Sequence, residues 1–368
     1  MFIVLKDYLI ISNVDSMRFI DFRKTLIRFF ILILALGVIS GISIGLMFTG
    51  TTYYDYNDSD WDNFYYTPRY NESNWNLLLD SHSHTHFSDG SLTPRQNILW
   101  HISLGYEAIV ITDHNTFTGA EEALEIARIE FNDTIKVLIG VEWTTARCHL
   151  DLILPPNATK ENYSKLLDQR KGITYTPSDE EMQSIINNTH TLGGLVVVNH
   201  FLWSAEYLNN HPTRQQYLDW GVDYIEIINE SAPDSTSVDF CLNNSLGVIT
   251  GTDMHQPGPV YSWTTLNVSE FSEEAIFTEL KERRTHYIYN GFSSPYEVEH
   301  KIDPIYITLY PLIKIGEMFD EMYRREIYRV QFIVFLLYVI GGFIFTELIR
   351  LMFRLLKWRF KKRKKLKT

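Results

Sequence analysis

Two long apolar stretches frame this chain, and between them short apolar runs alternate with segments of helical period. The first stretch, Phe29 to Met47, holds no charge and is about long enough to cross a bilayer as a helix. The second, Val330 to Ile349, has only Gln331 and Glu347 as strongly polar residues, both near its ends. In the middle, apolar runs read as strands at Leu77–Leu79, Ala108–Thr112, Val137–Val141, His149–Leu154, Gly194–Val198, Tyr224–Ile228 and Gly247–Thr250. Helical patterns lie between most of them, at Thr93–Leu104, Ala120–Phe131, Asn162–Asp168, Asp179–Leu192 and Arg214–Trp220. Pro177-Ser178 is a start signal for the helix at Asp179, and Gly193-Gly194 a stop. Strands alternating with helices predict an α/β domain on a mostly parallel sheet, closed as a barrel or open.

This pattern divides the chain into a tail (1–28), a transmembrane helix (29–49) and an exposed linker rich in Tyr, Asn, Asp and Ser (50–76). An α/β domain (77–300), a juxtamembrane segment (301–329), a second transmembrane helix (330–349) and a basic tail (350–368) follow. Charge orients the whole. The net charge is −12, but residues 51–329 carry 18 basic and 41 acidic residues, or −23, and residues 330–368 carry ten basic and one acidic, or +9. Arg18, Arg23, Lys24 and Arg28 precede the first span; Arg350, Arg354, Lys357, Arg359 and the run Lys361 to Lys365 follow the second. Positive flanks stay in the cytoplasm. Both termini are therefore expected inside the cell membrane and the domain outside. A cleaved signal peptide is the competing reading of the first stretch, though its 28-residue lead is longer than usual for one. Leu351 to Phe360 is expected to carry the second helix on into the interface, its basic side chains against anionic lipid.

The acidic middle argues against nucleic acid as a partner, because phosphate contacts need Lys and Arg. Of its 20 asparagines, nine open an Asn-X-Ser/Thr sequon: Asn57, Asn71, Asn132, Asn157, Asn162, Asn187, Asn229, Asn243 and Asn267. That density suits a glycosylated outer surface. The two cysteines, Cys148 and Cys241, read either as a pair or as separate buried thiols.

Candidate chemistry gathers after the strands. The first leads into Asp80-Ser81-His82-Ser83-His84-Thr85-His86-Phe87-Ser88-Asp89-Gly90. Residues two apart on a strand point the same way, so His82 and His84 converge near its end. The second strand leads into Asp113-His114, the third ends at Glu142, the fifth at Asn199-His200, and the seventh runs on to Asp253-Met254-His255. Metal-ligand residue types thus follow the C-terminal ends of five of the seven strands, which in a barrel is the active-site face. Mixed imidazole and carboxylate ligands suit Zn, Mn or Fe. Two such ions about 3.5–4 Å apart activate a shared water near neutral pH, and that water rather than a side chain is the expected nucleophile. No GxSxG elbow or HExxH helix occurs.

DSHSHTHFSDGSLTP, ITDHN, GVEWTT, the His149 segment, VVNHF and GTDMH together resemble the polymerase-and-histidinol-phosphatase (PHP) family of metal-dependent hydrolases, over roughly Leu77 to Pro295. The resemblance implies a distorted seven-stranded (β/α)7 barrel with two or three divalent metal ions. It places His82, His84, Glu142 and Asp253 on one ion, and Asp89, His114 and His255 on a second. Glu142 then bridges to a third held by His149 and His200. His149 stands out, because it opens its strand instead of closing it, and His200 is followed by Phe201 where the family commonly has Pro.

Asp80 is expected to orient a ligand histidine. His86 reads as a polar loop residue. His101, His190, His211 and His300 read as surface or packing groups; Arg147, Arg284 and His286 read as solvated or structural, with contact to an anionic substrate as the alternative. The reading is a metal-dependent hydrolase acting on a small anionic phosphoester. Its rivals are a hydrolase of carboxylic or carbamic esters or amides, and a metal-stabilised surface binding module without turnover.

Overall fold

Every other residue along the central strands belongs to one buried face, and that face changes character from one end to the other. A computed structural model describes residues 22–48, 54–167, 174–296, 301–302, 304–324 and 326–365. Most of the N-terminal tail, the end of the helix expected at Asp168, His300 and the last residues of the basic tail lie outside these. The strands are β1 (Leu77–Asp80), β2 (Ala108–Ile111), β3 (Lys136–Thr144), β4 (His149–Ile153), β5 (Leu195–Val198), β6 (Tyr224–Asn229), β7 (Gly247–Gly251), β8 (Ser262–Leu266) and β9 (His286–Tyr289). The longer helices are α1 (Phe22–Phe48), α2 (Pro94–Ser103), α3 (Thr118–Glu130), α4 (Asp179–Thr191), α5 (Phe201–Tyr207), α6 (Arg214–Trp220), α7 (Ser235–Asn244), α8 (Glu273–Lys281), α9 (Pro304–Arg324) and α10 (Glu326–Lys365).

The helices begin where their caps dictate. Thr93, Ser178 and Thr213 each close a capping box with the residue three on, Gln96, Glu181 and Gln216, at the starts of α2, α4 and α6. Gly221 ends α6 with φ 87°, a left-handed turn that costs glycine little.

The chain divides into two units, residues 50–308 and residues 1–49 with 309–368. In the first, the strands lie in the order β9-β8-β1-β2-β3-β4-β5-β6, with β7 also paired to β6. Pairing is parallel for β1–β2, β2–β3, β5–β6 and β6–β7. It is antiparallel for β3–β4 and β4–β5, so the sheet expected to be mostly parallel carries one reversed strand, β4, among β1 to β7. Only four residues separate β3 from β4, too few for the helical crossover that a parallel pair needs. Between β7 and β1 the ladder gives way to single bonds: Asp253 N–H donates to His82 O at 2.9 Å and His84 N–H to Met254 O at 3.1 Å. The result is an α/β half-barrel whose two edges are stitched by loops and not by a full strand pair. β8 and β9, absent from the expected set, extend the sheet beyond β1 with antiparallel pairing.

Leu77, Leu79, Ala108, Val110, Leu138, Leu195, Val197, Tyr224 and Ile249 form one buried cluster, capped by Ile276, Phe277 and Leu280 of α8. The alternate residues Leu78, Ile109, Ile111 and Val137 pack on the other face, under α2 and α3. Continuing the inward set upward along β3, β4, β6 and β7 reaches Glu142, Asp151, Glu226 and Gly251. The inward face is therefore apolar at its floor and polar at its mouth.

The segment 54–76, expected as an exposed linker, is exposed at many positions but is anchored by aromatic residues. Tyr56 and Trp61 are buried and stacked, 6.0 Å between ring centroids, and Tyr66 N–H donates to Ser103 O at 2.7 Å. Aromatic rings here cover the outer face of α2. Tyr54–Asp55 pairs with Lys301–Ile302, so the entry and exit of this unit lie side by side.

In the second unit, α1 and α10 are each long and apolar enough to cross a membrane, at Phe22–Leu46 and Phe332–Lys361. Arg28 Nε donates to Glu347 Oε1 at 2.7 Å, and the rings of Phe29 and Phe343 meet at 5.4 Å. The start of α1 thus lies against the far part of α10.

Candidate metal centre

The polar mouth of the half-barrel gathers side chains from loops after β1, β2, β5 and β7 and from the β3–β4 hairpin. Four groups there are able to hold a metal ion, each with ligand atoms within 4.8 Å of one another: His84, Asp89, His114 and His255; His82, His200 and Asp253; His82, His84 and Glu142; and Glu142, His149 and His200. Together they contain all nine positions singled out in the sequence. The grouping differs in two respects: His84 also joins the cluster of Asp89, His114 and His255, and Asp253 groups with His82 and His200 while His82, His84 and Glu142 form a set without it.

Glu142 is the hub. Its Oε1 lies 2.8 Å from His149 Nδ1 and 3.2 Å from His200 Nε2; its Oε2 lies 2.5 Å from His114 Nδ1 and 3.8 and 3.7 Å from Nε2 of His82 and His84. Asp253 Oδ1 is 3.0 Å from His84 Nε2 and 3.4 Å from His82 Nε2. Asp89, its side chain 53% exposed at the rim, reaches His255 Nε2 at 3.2 Å and His114 Nε2 at 3.4 Å.

The hairpin accounts for His149. Thr144 and His149 are register partners, so the first residue of the reversed strand stands level with the last residue of β3. The start of β4 is at the mouth for the same reason that the ends of its parallel neighbours are.

Local backbone serves the same gathering. His200 and Asp253 hold positive φ angles of 26° and 51°, uncommon for non-glycine residues and the kind of strain that collects at working sites. At Gly251 an added Cβ would stand 2.2 Å from Glu226 Oε1 and 2.4 Å from His82 Cβ, so only glycine lets β7 pass so close.

Burial lowers His82, His114 and His255, but the surrounding carboxylates outweigh it and raise all three above the ordinary imidazole value; other ligand candidates are held in ligand-ready states. Burial and the neighbouring imidazoles of His255 and His114 push His84 down to about 4. Burial lowers His149 to about 4 as well, against the pull of Glu142. Burial alone would raise Glu142, but His114 and His149 hold it well below the usual carboxylate range. Asp253 is held low in the same way by His82 and His255. One buried polar atom, His84 Nδ1, has no hydrogen-bond partner among the described residues, and Glu142 Oε2 faces imidazole nitrogens, His114 Nδ1 nearest at 2.5 Å. Buried and convergent atoms of imidazole and carboxylate are the donors a divalent transition metal takes. The residues fit such ions.

Beyond the ligand candidates, several groups hold the site in shape. Asp80 does not orient a ligand ring. It accepts from His101 Nε2 at 2.8 Å and Thr252 N–H at 2.9 Å, tying β1 to α2 and to the β7 loop. The carboxylate beside His82 is Glu226, whose Oε1 is 3.3 Å from His82 Nδ1. Asp113 takes Thr85 N–H at 2.7 Å and Ser88 Oγ at 2.6 Å, fixing the loop that carries Asp89. Asn199 Nδ2 donates to Asp151 at 2.8 Å and Glu142 at 3.2 Å. Asn229 Nδ2 donates to Glu226 and Asp253, so this sequon asparagine is engaged inside the site while the other eight are exposed. Glu226 and Asp151 were visible in principle, as single acids in otherwise apolar strands.

The remaining candidates take structural places. His101 is buried against Asp80, His190 pairs with Asp223, and His211 meets the Tyr217 hydroxyl at 3.1 Å. Arg147 donates to Asn210 O and Pro177 O, Arg284 pairs with Glu279, and His86 and His286 are exposed. Cys148 and Cys241 are free and buried, and burial pushes both thiols up to about 12.

Residues 80–256 match the family model for the PHP domain. Over 120 residues the chain is 30% identical to an uncharacterized protein of Methanocaldococcus jannaschii; the match covers 31% of this chain and 51% of that protein, so the chain spans about half the length of this curated relative. Among solved structures, it is similar to a two-domain protein from Bacteroides vulgatus described as containing a "predicted PHP-like metal-dependent phosphoesterase" (20% identity, 62% of this chain, 68% of that chain, TM-score 0.48). It is also similar to a protein from Bifidobacterium adolescentis described as a "putative metal-dependent phosphoesterase" (18% identity, 56% of this chain, 96% of that chain, TM-score 0.41). The family model thus spans residues 80–256, just under half of the chain, and what it matches there is a PHP domain.

Proposed function

We propose that this chain is a membrane-anchored, metal-dependent phosphoesterase whose PHP domain faces away from the cytoplasm. The observation that carries the reading is the hub at Glu142, one buried carboxylate within 3.8 Å of five imidazoles. His82, His84, Glu142 and Asp253 would hold one ion, Asp89, His114 and His255 a second, and Glu142, His149 and His200 a third. Divalent ions bound there supply Lewis acidity, lowering the pKa of water and taking up negative charge on phosphoryl oxygens.

The chain's own part is positioning. Glu226 fixes His82 and the backbone of His200, Asn229 steadies Asp253, and Asn199 steadies Glu142. No thiolate competes as nucleophile, because both thiols titrate near 12.

For the anchoring, the contacts Arg28–Glu347 and Phe29–Phe343 run α1 and α10 antiparallel. The basic flanks before α1 and at the end of α10 then share one side, the cytoplasmic one by the charge rule.

The full-length chain, loaded with Mn(II) or Zn(II), is tested on p-nitrophenyl phosphate and p-nitrophenyl acetate side by side. Phosphate release that stops on chelation and returns with metal is the expected result. Acetate cleavage alone would point to a carboxylic ester hydrolase, and metal binding without any turnover to a binding module. Protease added to intact cells should cut the 50–308 region; protection of that region would reverse the orientation.

A further inference from the structure

The Asn-X-Ser/Thr sequons are not spread evenly over the domain. Its parallel strands end at the metal centre, so the opposite end, the floor, is where they begin and where the reversed strands β4 and β8 finish. Asn71 lies six residues before β1, and Asn267 follows Leu266 of β8, the register partner of Leu77 at the start of β1. Asn132 lies four residues before β3, its side-chain oxygen accepting from Lys136 Nζ at 2.7 Å. Asn157 lies four residues after Ile153 of β4, whose register partner Leu195 opens β5. All four asparagines are exposed and sit in loops, the setting in which such a sequon is accepted.

The other end differs. The loops at the mouth, residues 81–93, 112–117, 145–148 and 252–261, hold no sequon. Asn229 at the rim donates from Nδ2 to Glu226 at 3.1 Å and to Asp253 at 3.2 Å, so the atom that a glycan would bond is held within the site. Asn187 is closed for another reason: it lies inside α4, and the Thr189 of its sequon is buried, its hydroxyl bonded to Ile185 O at 2.9 Å.

We propose that N-linked glycans on Asn71, Asn132, Asn157 and Asn267 cover the end of the domain opposite the metal centre, and that the mouth carries none. This rests on the outward-facing orientation proposed above. The donor is a lipid-linked oligosaccharide phosphate, used by a membrane glycosyltransferase on the outer side. The bond from sugar C1 to the carrier's phosphate oxygen breaks, its electron pair staying on the phosphate. Asparagine Nδ2 bonds to C1 and gives up one proton to a base of the transferase, with no oxidation or reduction. Glycans are bulky and solubilising. The coated end therefore resists packing against another protein, while the bare end leaves the metal centre open to small solutes.

The test takes the full-length chain from membranes of the cells that naturally make it and measures its proteolytic peptides by mass spectrometry. The peptides that carry Asn71, Asn132, Asn157 and Asn267 should each be heavier by an oligosaccharide, and the Asn229 peptide should have its unmodified mass. Thr134→Ala and Thr159→Ala, made in the same cells, remove a sequon hydroxyl and keep the asparagine. Each should lose the mass of one glycan while metal content stays at the parent level. Glycan on none of the four sites, or glycan on Asn229, would overturn the proposal. A membrane-impermeant amine reagent applied to intact cells separates this from the orientation. Labelled lysines in 50–308 beside four bare sequons overturn the glycan proposal alone; unlabelled lysines there overturn the orientation and the proposal with it.

Discussion

Glu226 Oε1 lies 3.3 Å from His82 Nδ1, and the other oxygen of the same carboxylate accepts the backbone N–H of His200 at 2.7 Å. One buried acid thus sets the orientation of one candidate ligand ring and the backbone of another. Outer carboxylates of this kind fix the ring and strengthen its free nitrogen as a donor. Glu226→Ala should weaken metal retention by roughly 10–100-fold. It should leave the far-ultraviolet circular dichroism unchanged, and Glu226→Gln should lie between. Competition with a chromogenic chelator measures it. Parent-like affinity in Glu226→Ala would show that His82 is held by other groups.

Glu142 and Asp253 are the acids on which the imidazoles converge. Glu142→Ala and Asp253→Ala should each abolish metal loading and turnover together. Metal content by mass spectrometry and phosphate release on the same preparation check it. A variant that binds no metal yet hydrolyses at the parent rate would refute metal-assisted chemistry.

Gly251 bears on the site through space. Its φ is not in the left-handed region, so the constraint is the 2.2 Å that a Cβ would leave to Glu226 Oε1. Gly251→Ala should destabilise the domain by about 1–3 kcal/mol, the usual cost of overpacking. Because the displaced atoms are Glu226 and His82, metal affinity should fall as well. Thermal unfolding and the chelator competition report the two effects separately. Loss of stability with metal affinity untouched would mean that the strain relaxes away from the mouth.

Much of this was legible from the amino-acid pattern, and the exceptions have physical causes. β1 to β7 announce themselves as apolar runs, α2, α4 and α6 as helical patterns, and α4 also by the Pro177-Ser178 start signal. That His82, His114, Glu142, His200 and Asp253 converge follows from their shared place after strands whose ends face one way. His149 looked out of place because a parallel sheet was assumed; the hairpin from Thr144 to His149 removes the difficulty. Glu226 and Asp151 escaped notice because a strand shows its inward face only once its partners are known. β8 (Ser262–Leu266) is rich in Thr, and its burial comes from pairing with β1 and β9, a long-range fact that local pattern does not carry. Tyr56 and Trp61 were misjudged because polar neighbours outnumber them in a segment whose few aromatics do the packing.

Away from the metal centre, Asp223 offers a test of the fold itself. Burial alone would raise its carboxyl, but hydrogen bonds from His190 Nε2 (2.8 Å), Val196 N–H (2.9 Å) and Arg283 Nη2 (3.0 Å) outweigh this and hold it below its ordinary value. A carboxyl depressed in the folded state adds stability that is present above its unfolded pKa, about 3.9, and is lost as pH falls through the lower folded value. Asp223→Asn removes the charge while keeping the shape. At pH 7 it should cost about 1–2 kcal/mol, the lower part of the range for charged hydrogen bonds, because His190 and Arg283 are 35% and 37% exposed and partly screened. As the pH falls below the unfolded value towards the lower folded one, the parent carboxyl itself takes up a proton, so the gap between parent and variant should shrink. Urea unfolding at pH 7 and pH 3, followed by tryptophan fluorescence, measures both gaps. An equal difference at the two pH values would mean that Asn disturbs the β5–β6 junction sterically, and that the carboxylate's charge contributes nothing there.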